Sequence, residues 1–244
     1  MMLQTGPILG GPAPETTRRE QAKSGRRLRV VEAAYALLRE VGIEDLSMKM
    51  LAARAGVSLS TVYNLFGSKQ AVLALVFDLD LLKYQRMVAD APSRDELERV
   101  FDSIDIAVEL YRADPDFYRA TMLRSQGNAV DPVLRVVLRE PRLRFWRSMI
   151  VAAQAAGLLK PDVDPAVLGA LVIQIFGGVL ANWISGDITV DELGTEAKFG
   201  IAVAFSPFAA RPAAARLRER INSLHKILSR ERTLSDRITE TLGL

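Results

Sequence analysis

Residues Ser47 to Lys69, SMKMLAARAGVSLSTVYNLFGSK, fit two short helices joined by a tight turn. Ser47 is a favourable N-cap for the first helix, because its hydroxyl can accept a hydrogen bond from a free backbone N–H of the first turn. Gly56 falls where that helix must end, since the residue after the last turn often needs a positive φ. Ser58 can cap the second helix. Such a pair, with a polar and aromatic second helix, is the helix-turn-helix that enters the major groove of DNA.

The positive charge of the chain is concentrated in two segments. The formal net charge of the 244 residues is only +3, with a sequence pI near 9.3. Arg18 to Arg29 holds six basic residues against one acidic residue, and Arg211 to Arg237 holds eight against three. The first of these segments directly precedes the first predicted helix. Concentrated positive charge beside a helix-turn-helix indicates an anionic partner such as DNA.

The scarcity of reactive side chains argues against an enzyme. The chain has no cysteine and one histidine, His225. This composition excludes a disulfide framework and a thiol nucleophile, and it removes most routes to zinc or to acid–base catalysis. We therefore expect no catalytic residue, no metal and no cofactor. Residues 1–14 lack the basic region of a secretory signal and are interrupted by glycine and proline, so a cytoplasmic location is expected.

Hydrophobic residues recur at three- and four-residue spacing along the chain, without runs of alternating β-branched residues. The sequence therefore predicts an all-α fold of about nine helices followed by an extension. An N-terminal three-helix helix-turn-helix domain would be joined to a larger helical domain. A capping box at Ser93 and Glu96 is expected to start one helix of the larger domain. The predicted segments are a disordered basic arm (1–25), the helix-turn-helix DNA-binding domain (26–70), the larger helical domain (71–210) and a C-terminal helical extension (211–244).

The segment from Ala166 to Ser185 is the most apolar helix of the prediction and allows three interpretations: a membrane span, a buried core helix or a dimerisation helix. Its short length, its two amides (Gln174 and Asn182) and its turn-rich borders argue against a membrane span. Small residues four positions apart, such as Gly177 and Ala181, allow close approach of another helix. We therefore favour a buried helix that also contributes to a dimer.

The pattern GVS-x-x-T-x-Y-x-x-F-x-x-K, at Gly56 to Lys69, resembles the DNA-binding motif of the TetR family of bacterial transcription regulators. The resemblance extends over the first four predicted helices, and the later helices are similar to the family in order and length. It therefore implies that the larger helical domain (71–210) is a ligand-binding and dimerisation domain. It implies a ligand-responsive repressor with three partners: a palindromic double-stranded DNA operator, a small-molecule effector that releases the repressor, and a second copy of the chain. The homodimer would form through the helices between Ala166 and Phe205.

The second helix of the motif carries most of the expected DNA contacts. The resemblance implies that Thr61 and Tyr63 bind phosphates or base edges and that Lys69 reaches a phosphate from the start of the next helix. Free N–H groups at that helix start also favour an anion. Leu59 can contact a thymine methyl group but donates no hydrogen bond. The candidate DNA-binding residues are Arg26, Arg27, Ser47, Leu59, Ser60, Thr61, Tyr63, Asn64 and Lys69.

The chain departs from the family at Asn64 and Leu65, where aromatic residues or histidine are usual. Leu65 is expected to pack inward, which leaves Ser60, Thr61 and Asn64 to discriminate between bases.

Aromatic residues of the larger domain are the expected walls of a ligand cavity. Few charged residues interrupt its apolar stripes, so a largely apolar effector is expected. Asp102, Asp105 and Glu109 lie opposite the apolar stripe of their helix and are interpreted as a solvated face rather than a metal site. An alternative hypothesis is a helical small-molecule enzyme or carrier with a vestigial DNA-binding domain. The candidate ligand-binding residues are Phe101, Tyr111, Phe117, Met122, Trp146, Gln174 and Asn182.

Overall fold

A computed structural model describes residues 18–122 and 132–242. These residues form ten α-helices and no strand, which confirms the predicted all-α fold. A single-turn 3₁₀ helix, Ser206–Phe208, follows α9. The helices are α1 (Arg18–Asp45), α2 (Met48–Ala55), α3 (Leu59–Phe66), α4 (Lys69–Asp90), α5 (Glu96–Ala113), α6 (Pro115–Met122), α7 (Pro132–Ala155), α8 (Pro165–Ser185), α9 (Val190–Phe205) and α10 (Arg211–Leu242).

The boundaries of the helix-turn-helix follow from local capping. The Ser47 hydroxyl accepts a hydrogen bond from the Met50 N–H at 3.3 Å, and the Ser58 hydroxyl accepts one from the Thr61 N–H at 3.1 Å. Gly56 ends α2 in the left-handed region, with φ 63° and ψ 41°. Both predicted serine caps and the predicted glycine terminator are confirmed, because each depends on residues within one turn of it.

Two predicted boundaries differ from the structure. The prediction of a disordered arm is wrong for residues 18–25, which form the first turns of α1 because Arg, Glu, Gln, Ala and Lys are good helix formers. Residues 1–17 lie outside the described part of the chain. The helix α5 starts at Glu96 with Asp95 as its N-cap, not Ser93, since the Asp95 carboxylate accepts from the N–H groups of Leu97 and Glu98 at 3.0 Å.

The hydrophobic interior consists of two clusters that meet within the larger domain. The first cluster packs α1 to α4 of the helix-turn-helix region against parts of α5, α6 and α8, and it includes the buried side chain of Trp183. The second packs α5, α7, α8 and α9 together and includes the buried side chain of Phe205. The DNA-binding helices therefore share apolar contacts directly with the helices that follow them, rather than being joined to them only by a linker.

The C-terminal extension packs on the larger domain through its first turns. Ala213 and Leu217 of α10 are buried. Arg216 pairs with Asp95 at 2.5 Å, and the Arg220 guanidinium lies 4.0 Å from the centroid of the Phe101 ring. These contacts hold the start of α10 against α5.

Candidate nucleic-acid interface and ligand cavity

The helix α3 presents one buried face and one exposed face. Val62 is fully buried and anchors the helix, whereas Leu59 and Tyr63 are 43% and 49% exposed. Ser60 and Asn64 are also exposed, and Leu65 is half-buried. The exposed face therefore carries the residues expected to contact DNA, and an exposed aromatic side chain of this size on a polar helix is available to a partner.

A hydroxyl network fixes the first turn of α3. The Ser58 hydroxyl lies 2.9 Å from the Ser60 hydroxyl and 2.7 Å from the Thr61 hydroxyl. Each hydroxyl can donate and accept at once, so Ser60 and Thr61 keep hydrogen-bonding capacity for a second partner. Ser58 thus orients two of the expected contact residues, a role that the sequence analysis did not assign to it.

The side chain of Lys69 forms a hydrogen bond within the protein instead of extending into solvent. Its ammonium group donates a hydrogen bond to the Glu44 carbonyl at 2.9 Å, and burial lowers the pKa of Lys69. The side chain therefore ties the start of α4 to the end of α1. A contact between Lys69 and a phosphate would require this hydrogen bond to be shared or exchanged.

The basic first half of α1 lies beside α3. Arg27 donates a hydrogen bond to the Leu65 carbonyl at 3.2 Å, and its guanidinium lies 4.8 Å from the centroid of the Phe66 ring. Arg29 donates to the Ala55 carbonyl at 3.3 Å. Arg26 is half-buried. The basic segment is thus a helix held next to the exposed face of α3, so its charge adds to the potential that phosphates would meet there.

A cavity of about 80 Å³ lies between helices α4 to α8 of the larger domain. Six of its side chains are aromatic, and polar groups are confined to a few positions. Its walls are formed by Asp80, Leu81, Tyr84, Ala107, Leu110, Tyr111, Tyr118, Arg142, Phe145, Trp146 and Phe176.

Two of the candidate ligand-binding residues, Tyr111 and Trp146, line this cavity, and four do not. Phe101 is covered by Arg220 of α10, and Phe117 packs on Tyr35 with ring centroids 5.3 Å apart. Gln174 and Asn182 are exposed on the outer side of α8. The side chain of Met122 lies outside the described residues. Phe101, Phe117, Gln174 and Asn182 are therefore not among the walls of this cavity, and their assignment as ligand-binding residues stays a prediction. Helical periodicity does not reveal which neighbour a side chain meets.

The cavity has a polar wall that the sequence analysis did not foresee. The Tyr118 hydroxyl donates a hydrogen bond to the Asp80 carboxylate at 3.0 Å. Burial raises the pKa of Asp80, and burial, with the nearby Asp80 charge, also raises the pKa of Tyr118. The Tyr84 hydroxyl donates to the Ser103 carbonyl at 3.1 Å. An acidic residue within the apolar sequence of α4 was the only signal that could have indicated this wall.

The carboxylates interpreted as a solvated face behave as ordinary surface residues. Lys198 pairs with Asp105 at 2.6 Å, and Arg112 pairs with Glu109. Within residues 18–122 and 132–242, no group of three or more metal-ligating side chains is close enough together to hold an ion.

The exposed polar face of the helix-turn-helix lies beside a basic helix, and a helical domain with a cavity follows it. This combination is typical of a DNA-binding transcription regulator. The family described as bacterial regulatory proteins of the tetR family matches residues 30–76, which span most of α1, the helix-turn-helix and the start of α4. Over these residues the chain is similar to the DNA-binding region of the TetR family of bacterial transcription regulators.

Similar proteins support this assignment along most of the chain. An uncharacterised HTH-type transcriptional regulator of Mycobacterium tuberculosis is 28% identical over 182 residues, covering 75% of this chain and 81% of the relative. The transcriptional repressor KstR2 of Rhodococcus jostii is 25% identical over 192 residues, covering 76% and 91%. These relatives are regulators, not enzymes, so the alternative hypothesis of a helical enzyme is set aside.

Solved structures share the fold. FadR of Thermus thermophilus, a TetR-family repressor in complex with lauroyl-CoA, superposes with a TM-score of 0.60 at 20% identity, covering 76% of this chain and 96% of FadR. The regulator TylP of Streptomyces fradiae gives the same TM-score and identity and covers 87% of this chain and 94% of TylP. At this identity the similarity establishes the fold alone.

Proposed function

We propose that this protein is a cytoplasmic, ligand-responsive repressor that binds a palindromic operator as a homodimer and is released by a small effector. The exposed face of α3, held beside the basic first half of α1, carries the proposal. A polar helix with exposed Tyr63 and Asn64 suits the major groove, and the basic helix beside it suits the phosphates. The organisation into a DNA-binding domain (26–70) and a ligand-binding and dimerisation domain (71–210) follows from the same assignment.

The dimer is proposed to form through the outer side of α8. Four residues of one stripe, Val167, Leu171, Gln174 and Gly178, are exposed, with Val167 67% exposed. The helix has a mean hydropathy of 1.9 over its most apolar stretch, of which only 28% is buried within the protomer. Such a face is stabilised by a second apolar surface, and a two-fold axis supplies an identical one.

A continuous series of contacts supports coupling between the cavity and the DNA-binding helices. Tyr118 lines the cavity and contacts Phe117 with ring centroids 5.1 Å apart. Phe117 in turn contacts Tyr35 of α1 at 5.3 Å, and Arg39 of α1 pairs with Asp114 at the start of α6. An effector that displaces Tyr118 would move α6 and bias the position of α1. It would lower operator affinity only to the extent that it binds the displaced state more tightly.

The ion pair between Arg39 and Asp114 gives a prediction for the contact between α1 and the start of α6. The hydrogen bond from Arg39 lowers the pKa of Asp114. A carboxylate with a lowered pKa stabilises the fold at neutral pH, and that contribution is lost as the pH falls through the folded-state pKa. Asp114→Asn removes the charge and keeps an oxygen that can accept from the Phe117 N–H, which lies 3.3 Å from Asp114. Because the pair is partly exposed, we expect a loss of at most about 1 kcal/mol at pH 7.

Urea unfolding at several pH values measures this effect. The difference between the original chain and Asp114→Asn should shrink below about pH 4, where the carboxylate becomes protonated. Glu40→Gln, which breaks the more exposed pair with Arg54, is the control and should have less effect at neutral pH. A loss of equal size at pH 7 and well below pH 4 would show that the charge of Asp114 is not its source.

The proposed function itself is tested by titrating the full chain into labelled DNA from upstream of its own gene, with shuffled DNA of equal length as the control. We expect one preferred site, affinity that falls steeply with salt, and protection of two half-sites about one helical turn apart, roughly 34–36 Å. Equal affinity for the upstream and the shuffled DNA at every salt concentration would overturn the proposal.

A further inference from the structure

The aromatic side chains of the cavity form two walls. Tyr84 contacts Phe145 edge-on at 5.4 Å between centroids, and Phe145 contacts Trp146 in the same manner at 5.5 Å. On the other wall, Tyr111 contacts Tyr118 at 4.6 Å and Phe176 at 6.2 Å. The space enclosed by these rings suits a flat apolar group, because aromatic pairs favour stacked and edge-to-face arrangements.

Asp80 is the acidic residue in the lining of the cavity. Among the described residues, its carboxylate accepts a hydrogen bond from the Tyr118 hydroxyl. The Tyr84 hydroxyl is already used by the Ser103 carbonyl. A ligand that donates a hydrogen bond can find an acceptor at Asp80, where it competes with the Tyr118 hydroxyl.

The charges around the cavity favour a neutral ligand. Asp80 on α4 and Arg142 on α7 both line it, and Arg142 is close enough to influence Asp80, Tyr84 and Tyr111 electrostatically. A cation attracted by Asp80 is repelled by Arg142, and an anion attracted by Arg142 is repelled by Asp80. A neutral ligand that donates a hydrogen bond avoids repulsion by either charge.

The size of the cavity favours a single ring. Its volume is about 80 Å³. An apolar cavity of about 150 Å³ binds benzene. One six-membered ring therefore requires modest repacking of the walls, whereas a long acyl chain or a polycyclic compound requires a much larger displacement of the helices.

We propose that the effector of this cavity is a small neutral phenol, whose ring lies between the two aromatic walls and whose hydroxyl donates to Asp80 in place of the Tyr118 hydroxyl. The proposal rests on the proposed function, since it assigns the class of effector to that regulator. It also supplies the trigger: a phenol that takes the Asp80 hydrogen bond releases Tyr118, the residue of α6 that faces the cavity.

Isothermal titration of the full chain without DNA tests the ligand class. Phenol is the probe, and anisole is the matched control, because its ring is the same and its ether oxygen cannot donate. We expect phenol to bind more tightly than anisole, by up to roughly tenfold, the factor typical of one hydrogen bond to a charged group. Only phenol can donate to Asp80, and the released Tyr118 hydroxyl offsets part of that gain. Benzoate and benzylammonium should bind more weakly than phenol. Equal affinity for phenol and anisole, or tighter binding of either ion, would overturn the proposal.

Two variants distinguish a direct contact from a structural effect. Asp80→Leu removes the acceptor at similar volume and should reduce the preference of phenol over anisole to about one. Tyr118→Phe removes the competing donor and should tighten phenol binding while leaving anisole unchanged. Tyr118→Phe keeps the test decisive if Asp80→Leu fails to fold, which circular dichroism would reveal. Weaker phenol binding by Tyr118→Phe would contradict competition for Asp80.

The DNA titration separates this inference from the proposed function. If phenol binds as expected and lowers operator affinity, the result supports both the ligand class and the proposed function. Phenol that binds as expected but leaves operator affinity unchanged supports the ligand class and overturns its role as the effector. Specific operator binding by a chain that does not prefer phenol overturns the ligand class and leaves DNA recognition intact.

Discussion

Gly178→Arg is expected to prevent the proposed dimerisation and to lower operator affinity by a factor of about 10² to 10⁴, the range by which a second linked binding module increases affinity. Gly178 is exposed on α8, and a Cβ atom at this position meets no atom within 4 Å in the protomer. The protomer should therefore tolerate arginine. Across a two-fold axis the same position would bury two like charges, which is strongly unfavourable.

Analytical ultracentrifugation measures the oligomeric state, and the operator titration measures the affinity. Ala89→Arg is the matched control, since Ala89 is also exposed in a helix but lies on α4, away from the α8 stripe. The control should remain dimeric and bind the operator normally. A Gly178→Arg protein that sediments as a dimer would show that this face of α8 is not the interface.

Tyr63→Ala is expected to lower the affinity for all DNA sequences by about a hundredfold or more. The proposed hydrogen bond from Tyr63 to a phosphate would be worth about 1.5 to 3 kcal/mol, and in the proposed two-fold dimer the substitution would remove it twice. Tyr63 is half-exposed at the surface of α3, with no hydrogen bond to its hydroxyl among those found in the described residues. The substitution should leave the free energy of unfolding within about 0.5 kcal/mol of the original value, as for other surface positions.

Titrations of operator and shuffled DNA with Tyr63→Ala, Ser60→Ala and the original chain distinguish contacts to phosphates, which position the protein on DNA, from contacts to base edges, which recognise the sequence. Loss of a phosphate contact weakens binding to both DNAs by a similar factor, so the preference for the operator is retained. Ser60→Ala should instead change the order in which operator variants are preferred, since base-edge contacts carry the discrimination. If Tyr63→Ala changed the order of preference and not the overall affinity, Tyr63 would be a base contact.

Much of the DNA-binding region was predictable from the sequence because its determinants are local. The caps at Ser47 and Ser58 involve a hydroxyl and a backbone N–H three residues away, and Gly56 ends α2 through its own φ. The family pattern at Gly56 to Lys69 depends on the same short spacing. What the sequence did not reveal here is that Lys69 is directed to the Glu44 carbonyl, a contact between residues far apart in the chain.

In the larger domain, the contacts between side chains were less predictable from the sequence than in the DNA-binding region. Helical periodicity and the capping residues predicted that α8 and α9 exist and where they begin, and the composition of α8 predicted that it must be covered. A helix that is apolar on all sides carries no signal for which side meets its own domain and which side meets a partner. Tertiary packing alone turned Phe176 to the cavity and left Gln174 and Asn182 exposed.

The sequence by itself determined the helices, their ends and the family of the DNA-binding motif, because these depend on residues within a few positions of one another. Only the tertiary structure decided the character of the cavity between α4 and α8. Asp80 and Tyr118 are 38 residues apart and belong to different helices, and their hydrogen bond forms because α4 and α6 both pack against α1. The sequence indicated a largely apolar site. The packing of the helices instead placed the Asp80 carboxylate among aromatic side chains.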